Sequence, residues 1–175
     1  DQIAALTTAQ VAALETRDLI ALKTSQIVAL TSAQAPALTT AQVAALTTAQ
    51  IAALETQDLA ALKTSQIAAL TTTQINALKT SQIAALTTAQ TAALAKLPQV
   101  ATLTTSQIPT LTTTQIAALT TADLNALSTA QIVALTSTQA SVLNSSQIAS
   151  LKTSQIAALE TRDLIALKTS QIAAL

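Results

Sequence analysis

The sequence contains no glycine, cysteine, histidine, methionine or aromatic residue in its 175 positions. Without cysteine or histidine, the chain lacks the usual nucleophilic thiol and the usual base that activates a hydroxyl. Without glycine, it lacks the loops that hold phosphate groups in nucleotide-binding motifs. Its hydrophobic half consists only of alanine, leucine, isoleucine and valine, so the area that aromatic side chains bury in ordinary cores is missing. These absences predict a thin, elongated core and no enzyme activity.

Charge is equally sparse, with eight basic and eight acidic residues. A nucleic-acid surface needs a concentration of positive charge, and we therefore expect no nucleic-acid partner. The longest apolar runs, such as residues 27–30, are about four residues long, whereas a membrane-spanning helix needs about 20. The sequence therefore predicts no membrane span.

Leucine marks an eight-residue repeat. It recurs every eighth residue from Leu6 to Leu94 and again from Leu103 to Leu175, so that 20 of the 21 intervals are eight residues long. One interval of nine residues separates the two series. We interpret the chain as one continuous array with regular segments at 1–94 and 103–175 and an irregular repeat at 95–102. That irregular repeat is interpreted as a tolerated defect or bend, with a hinge or a boundary between two segments as the alternative. Because residue 1 falls inside a repeat, we expect a segment of a longer array.

Numbered from its leucine, the repeat alternates between restricted and variable positions. Position 3 is threonine or serine in every regular repeat, and position 5 is glutamine except at the four aspartates 18, 58, 123 and 163. Position 6 is usually isoleucine, valine or leucine, and position 8 is mostly alanine. Positions 2, 4 and 7 vary, and position 7 includes Pro36 and Pro109. We therefore expect positions 1, 6 and 8 to form the apolar face.

Three folds compete for this pattern. One long helix would rotate the leucines by about 80° per repeat, and Pro36 and Pro109 would break it. A β-solenoid fits the alternation of positions 1 to 5, but its corners favour glycine, asparagine or aspartate, which are absent or rare here. An all-α solenoid of short helices, about two turns each, fits the composition best. The β-solenoid stays open as the alternative.

In the all-α interpretation, the position-3 hydroxyl is the N-cap. It would accept a hydrogen bond from a free N–H of the first turn, and the helix would run from position 4 to position 2 of the next repeat. Replacing threonine by alanine at position 3 should then cost about 0.5–2 kcal/mol, whereas the same change at position 2 should be near neutral. Such short helices are marginal alone and must stack on their neighbours. The number of repeats per superhelical turn is not evident from the variable positions.

Three acidic pairs are the strongest candidates for chemistry. Glu15/Asp18, Glu55/Asp58 and Glu160/Asp163 are separated by three residues, and paired carboxylates can act as acid and base or hold a hard cation. Two ligands without a supporting loop make a weak site, so we interpret the pairs as capping and surface charge. The sequence therefore predicts no catalytic, cofactor-binding or metal-binding residue.

The octapeptide Leu-Thr-Thr-Ala-Gln-Ile-Ala-Ala at residues 46–53 resembles octapeptide arrays in very large repetitive proteins of Gram-negative bacteria. Those proteins are commonly surface-exposed, adhesin-like or secreted. The resemblance covers essentially the whole chain and implies an extracellular or cell-surface location.

We expect a structural array that serves as a spacer, stalk or fibre-forming segment. Incomplete terminal repeats expose apolar faces, which predicts end-to-end self-association. A binding module that holds a protein or glycan on one edge is the alternative.

Overall fold

The computed structural model describes residues 2–95 and 100–175. Within these ranges the chain forms 18 short α-helices and three 3-10 helices and no strand. The all-α fold class is therefore confirmed, and the β alternative is wrong. The helices are α1 (Thr8–Ala13), α2 (Thr16–Ala21), α3 (Thr24–Ile27), η1 (Ala35–Ala37), α4 (Thr40–Ala45), α5 (Thr48–Ala53), α6 (Thr56–Ala61), α7 (Thr64–Ile67), α8 (Thr72–Ala77), α9 (Thr80–Ala85), α10 (Thr88–Ala95), η2 (Val100–Thr102), η3 (Ile108–Thr110), α11 (Thr113–Ala117), α12 (Thr121–Ala126), α13 (Thr129–Val133), α14 (Ser137–Ser141), α15 (Ser145–Ala149), α16 (Thr153–Ile156), α17 (Thr161–Ala166) and α18 (Thr169–Ile172).

The chain divides into two compact bodies, Asp1–Ala93 and Leu94–Leu175. We call them the N-terminal body and the C-terminal body. Of the irregular repeat predicted at 95–102, residues 96–99 lie outside the described residues. The interpretation of that repeat as a bend or hinge stays a prediction.

Each regular helix begins at position 3 and ends before the next leucine. In α5, for example, Leu54 is the C-cap with φ −54° and ψ 138°, and Glu55 follows in an extended conformation with φ −69° and ψ 150°. In helices that end at position 8, as α5 does, two extended residues lead to the next helix, whereas shorter helices such as α7 have a C-cap in the helical region. No described residue has a positive φ. This explains how the chain turns without glycine. Our expectation that the leucine and position 2 extend the helix was wrong.

The two prolines at position 7 are accommodated by 3-10 helices. Pro36 lies in η1 and Pro109 in η3, each near the start of its 3-10 helix. Around Pro36, the N–H groups of Ala35, Ala37 and Leu38 still donate to backbone carbonyls, so the repeat loses only the bond that proline cannot make. Proline therefore shortens a repeat's helix without ending the array.

In each body the core is formed by aliphatic side chains from positions 1 and 6. Ile51 and Ile67 are completely buried, and Leu54 and Leu70 are buried beside them. Position 8 is mostly only half-buried, contrary to the inward face that we predicted for it. Position 5, which we did not assign to the core, is buried in most repeats.

Within each body, a helix packs against the third helix along the chain. In the N-terminal body, α5 packs on α8 and α6 on α9, and α8 begins at Thr72, three repeats after α5 begins at Thr48. In the C-terminal body the same spacing joins α11 to α14, α12 to α15, α13 to α16, α14 to α17 and α15 to α18. This constant spacing places the same positions of different repeats against one another.

Candidate functional site

The N-cap of the regular α-helices is position 2. In α5, the backbone N–H of Gln50 donates to Thr47 Oγ1 at 3.2 Å, and the backbone N–H of Thr47 donates to Gln50 Oε1 at 2.9 Å. This reciprocal pair is a capping box. The N-cap side chain accepts the same bond at Thr7, Thr39, Thr47, Thr71, Thr112, Thr120, Ser128, Thr136 and Asn144.

Our assignment of position 3 as the N-cap was therefore wrong by one residue. Position 3 is the first helical residue, and its hydroxyl is exposed in every described repeat except the half-buried Thr56 and Ser137. Among the described residues, only two position-3 side chains make a hydrogen bond. Ser137 donates to Asp163 Oδ1 at 3.0 Å, and Ser145 donates to the carbonyl of Ser170 at 3.3 Å. Nothing in the described part explains why the other repeats hold a hydroxyl there.

The glutamine at position 5 joins two repeats. Gln50 Nε2 donates to the carbonyl oxygens of Leu19, Ile20 and Leu22 at 2.9, 3.1 and 2.8 Å. These acceptors lie 31, 30 and 28 residues earlier, at the end of the helix in the fourth preceding repeat. We call this the cross-repeat contact. Bonds of this type are made by Gln34, Gln42, Gln50, Gln66, Gln74, Gln82, Gln90, Gln131, Gln139, Gln147, Gln155 and Gln171.

The cross-repeat contact uses both ends of the amide. Its oxygen satisfies an N–H at the start of its own helix, and its nitrogen satisfies carbonyls at the end of another helix. Both sets are backbone groups that a helix terminus leaves without an internal partner. Because position 5 is buried, leaving these groups unpaired would be costly. The side chain therefore closes two helix ends at once.

Lysine at position 2 does not prevent this arrangement. The backbone N–H of Lys79 donates to Gln82 Oε1 at 2.7 Å, and Gln82 Nε2 donates to Ile51 and Leu54. The lysine side chain carries no acceptor, so only half of the capping box forms. Position 2 tolerates many residues because this half uses its backbone alone.

The acidic pairs differ from one another in the structure. Asp18 is exposed with its neighbour Glu15, and Arg17 Nε lies 2.7 Å from Glu15 Oε2. Asp58 and Asp163, by contrast, are buried, and their N-caps Glu55 and Glu160 accept no side-chain cap bond. Surface charge and capping therefore do not describe these two aspartates. Within residues 2–95 and 100–175, no group of three potential ligands gathers that could hold a metal ion.

Burial has an electrostatic consequence at Asp58. Desolvation, and then the negative charge of Glu55, raise the pKa of the Asp58 carboxyl above its ordinary value of 3.8. Its charged form is therefore disfavoured in the folded protein.

A surface groove of about 350 Å³ lies near Asp58. Its lining combines two opposite charges, Glu55 and Lys79, with neutral polar side chains such as Gln57 and Ser81 and with apolar side chains such as Val28. A groove of this composition offers hydrogen-bond donors and acceptors to a polar ligand.

The expectation of no membrane span agrees with the helices that form. In the described part of the chain, no helix is both long and apolar enough to cross a membrane.

The shift of the cap from position 3 to position 2 reverses our expectation for two neighbouring threonines. We now expect Thr47→Ala to cost about 0.5–2 kcal/mol because it removes the N-cap oxygen. Thr48→Ala should be within about 0.5 kcal/mol of the wild type, as is usual for exposed sites. Urea denaturation followed by circular dichroism measures both. Equal losses at the two positions would contradict the capping role of Thr47.

Comparison with known families identifies the repeat. The family model described as ALTTAQ repeat matches residues 11–48, 51–88, 68–96 and 116–153, and the second and third stretches overlap. The matches cover more than half of the chain, and the hexapeptide Ala-Leu-Thr-Thr-Ala-Gln itself stands at residues 45–50. No curated protein matches the sequence. The tandem-repeat character predicted from the leucine spacing is thus confirmed, and the chain belongs to the ALTTAQ repeat family.

Proposed function

We propose that this chain is a structural repeat scaffold, a spacer, stalk or fibre-forming segment of a bacterial surface or secreted protein. The observation that carries the proposal is the cross-repeat contact, which recurs with one register in both bodies. A core made of such contacts depends only on neighbouring repeats, so an added repeat can make the same contacts as the others. This is the property of a repeat scaffold.

In this proposal the short helices stack into a narrow solenoid. Two spacings support it: a helix packs against the third helix along the chain, and the amide at position 5 reaches the fourth preceding repeat. A chain that satisfies both spacings completes one turn of the solenoid in three to four repeats. Each repeat would then contact the third and fourth repeats before and after it, as a residue does in an α-helix.

We further propose that the 175-residue chain associates end to end. Gln10 and Gln26 accept hydrogen bonds at Oε1 from the backbone N–H groups of Thr7 and Lys23, and neither makes a cross-repeat contact with a described residue. Near the other terminus, Ile172 and Leu175 are exposed by 47% and 46%, although positions 6 and 1 form the buried core of the inner repeats. A second copy that continues the register would supply carbonyls to the glutamines and cover these two aliphatic side chains.

Electron microscopy of the purified chain tests both proposals. The scaffold proposal predicts slender particles of constant width, and end-to-end association predicts that they lengthen as the protein concentration rises. Slender particles of one length at every concentration would refute association alone. Compact particles of one size would refute the scaffold as well.

The groove beside Glu55 and Lys79 favours a second candidate, a module that binds a glycan. Its amide, hydroxyl and charged side chains are of the kinds that hydrogen-bond sugar hydroxyls. A glycan array probed with the wild type and with Glu55→Ala and Lys79→Ala tests this. Lys23→Ala is the matched control, because Lys23 also occupies position 2 but does not line the groove. Binding that is lost in the first two variants and kept in the control would favour the module, whereas no binding by the wild type would exclude glycans of the array.

A further inference from the structure

Asp58 occupies the position of a cross-repeat donor but has no hydrogen atom to donate when it is ionised. The flanking contacts fix what it faces. Gln50 reaches Leu19 and Leu22, and Gln66 reaches Ala35 and Leu38. The same spacing places Asp58 opposite the end of α3, at the carbonyls of Ile27, Val28 and Leu30. In this register a carboxylate oxygen would face carbonyl oxygens.

Asp163 shows how another repeat compensates for the same replacement. Arg162 precedes it, and its Nη2 donates to the carbonyl of Val133 at 3.5 Å, which lies in the register of a glutamine contact. The Nε atom of Arg162 lies 3.5 Å from Asp163 Oδ1, and Ser137 also donates to that oxygen. Oδ2 of this fully buried side chain has no partner. The Arg162 side chain at position 4 thus makes part of the contacts that the glutamine amide makes in other repeats.

Asp58 has no such neighbour. Position 4 of its repeat is Gln57, which lines the groove instead. Glu55, the N-cap of the helix that holds Asp58, is a second negative charge. Of the elements that pack on α6, η1 carries no titratable residue, and α9 contributes only Lys79 at its N-cap, beside Glu55 in the groove. The end of α3 presents carbonyl dipoles alone.

We propose that the contact between Asp58 and the end of α3 closes when Asp58 takes up a proton from solvent. The neutral carboxyl then donates its O–H to a carbonyl of Ile27 or Leu30, as Gln Nε2 does in the other repeats. The N-terminal body thus contains one contact between repeats that becomes stronger at lower pH. This inference rests on the cross-repeat contact and does not depend on the proposed scaffold function.

The direction of the pH effect follows from the raised pKa of Asp58. A group whose pKa is higher in the folded state binds protons more readily there, so folding is favoured at low pH. This stabilisation is complete below the unfolded value of 3.8 and is lost as the pH rises through the folded pKa.

Aspartate, glutamine and glutamate at position 58 together separate the effect of the hydrogen-bond donor from the effects of side-chain length and size. Asp58→Gln restores the residue of the other repeats, and Asp58→Glu has the same length but carries oxygen where glutamine carries NH₂. Urea denaturation at about pH 7.5 and about pH 4 gives the folding equilibrium constant of each variant. At the higher pH we expect the folding equilibrium constant of the Asp58→Gln variant to be about tenfold or more above those of the Asp58→Glu variant and the wild type. This difference is the effect of one hydrogen bond.

At the lower pH the difference in folding equilibrium constant between these variants should narrow several-fold. The reason is that the protonated carboxyl groups of the wild type and of the Asp58→Glu variant both donate. Gln10→Glu is the control, since Gln10 is exposed and makes no cross-repeat contact with the described residues. The effect of Gln10→Glu on the folding equilibrium constant should not change between the two pH values in the same way. A gap between Asp58→Gln and Asp58→Glu that is equal at both pH values would overturn the proposal. An Asp58→Gln variant less stable than the wild type at the higher pH would do the same.

Discussion

Replacing Gln50 by leucine is expected to lower the free energy of unfolding of the N-terminal body by about 3–5 kcal/mol. The amide donates to three carbonyl oxygens at the end of α2 and accepts from the N–H of Thr47. Leucine fills a similar volume but satisfies none of these groups. Each buried polar group left unpaired costs about 1–3 kcal/mol, and some of these carbonyls regain water at the edge of the core.

Gln10→Leu is the matched control for this prediction. Its repeat has the same Leu-Thr-Thr-Ala-Gln sequence and the same capping box, with Thr7 N–H donating to Gln10 Oε1 at 2.8 Å. Gln10 is exposed and makes no cross-repeat contact with the described residues, so its replacement removes only the box, at about 0.5–2 kcal/mol. The difference between the two losses in urea denaturation measures the cross-repeat contact. Similar losses would show that Gln50 acts only as a cap.

Much of the local fold could be predicted from the spacing of Leu6, Leu14 and their successors. An eight-residue period matches neither a coiled coil nor a straight helix, and a hydroxyl near each leucine marks a helix start. Short helices with leucine and isoleucine buried follow from these two facts, and the structure confirms both. Local chemistry therefore decides where helices form.

The cap position could not be decided from composition because two hydroxyl residues stand side by side. Thr47 and Thr48 are both acceptable N-caps, and the more constant position 3 favoured Thr48. The structure shows that position 2 can vary because half of its capping box comes from the backbone, as at Lys79. Constancy within the repeat was thus a misleading guide to which hydroxyl caps the helix.

The cross-repeat contact was missed because it joins residues 28–31 positions apart. One signal was nevertheless present in the sequence. Position 5 is glutamine in all regular repeats except the four with aspartate, although glutamate would also complete a capping box. Unlike the carboxylate of glutamate, an amide offers an acceptor and a donor together. Its preference over glutamate pointed to a second partner that accepts hydrogen bonds.

Deleting half a repeat is expected to be more damaging than deleting a whole one. Removal of residues 46–53 takes out one octapeptide and moves every later repeat by one complete unit. Gln66, which now donates to Ala35 and Leu38, would then face Ile27 and Leu30. These are the same two repeat positions one unit earlier, so the contact can re-form. We expect a folded N-terminal body with a far-UV spectrum typical of helices.

Removal of residues 46–49 shortens the chain by half a unit and also deletes the Thr47 cap. The contacts made by Gln50, Gln66 and Gln74 all span this point, and the shifted register places each amide opposite positions 2 and 5 instead of a helix end. At about 1–3 kcal/mol for each unpaired buried group, the summed loss approaches the whole stability of a small domain, about 5–15 kcal/mol. The shorter deletion should therefore abolish cooperative unfolding in thermal melts and expose the N-terminal body to proteolysis. Equal melting curves for the two deletions would mean that the backbone of each repeat, and not the amide register, holds neighbouring helices together.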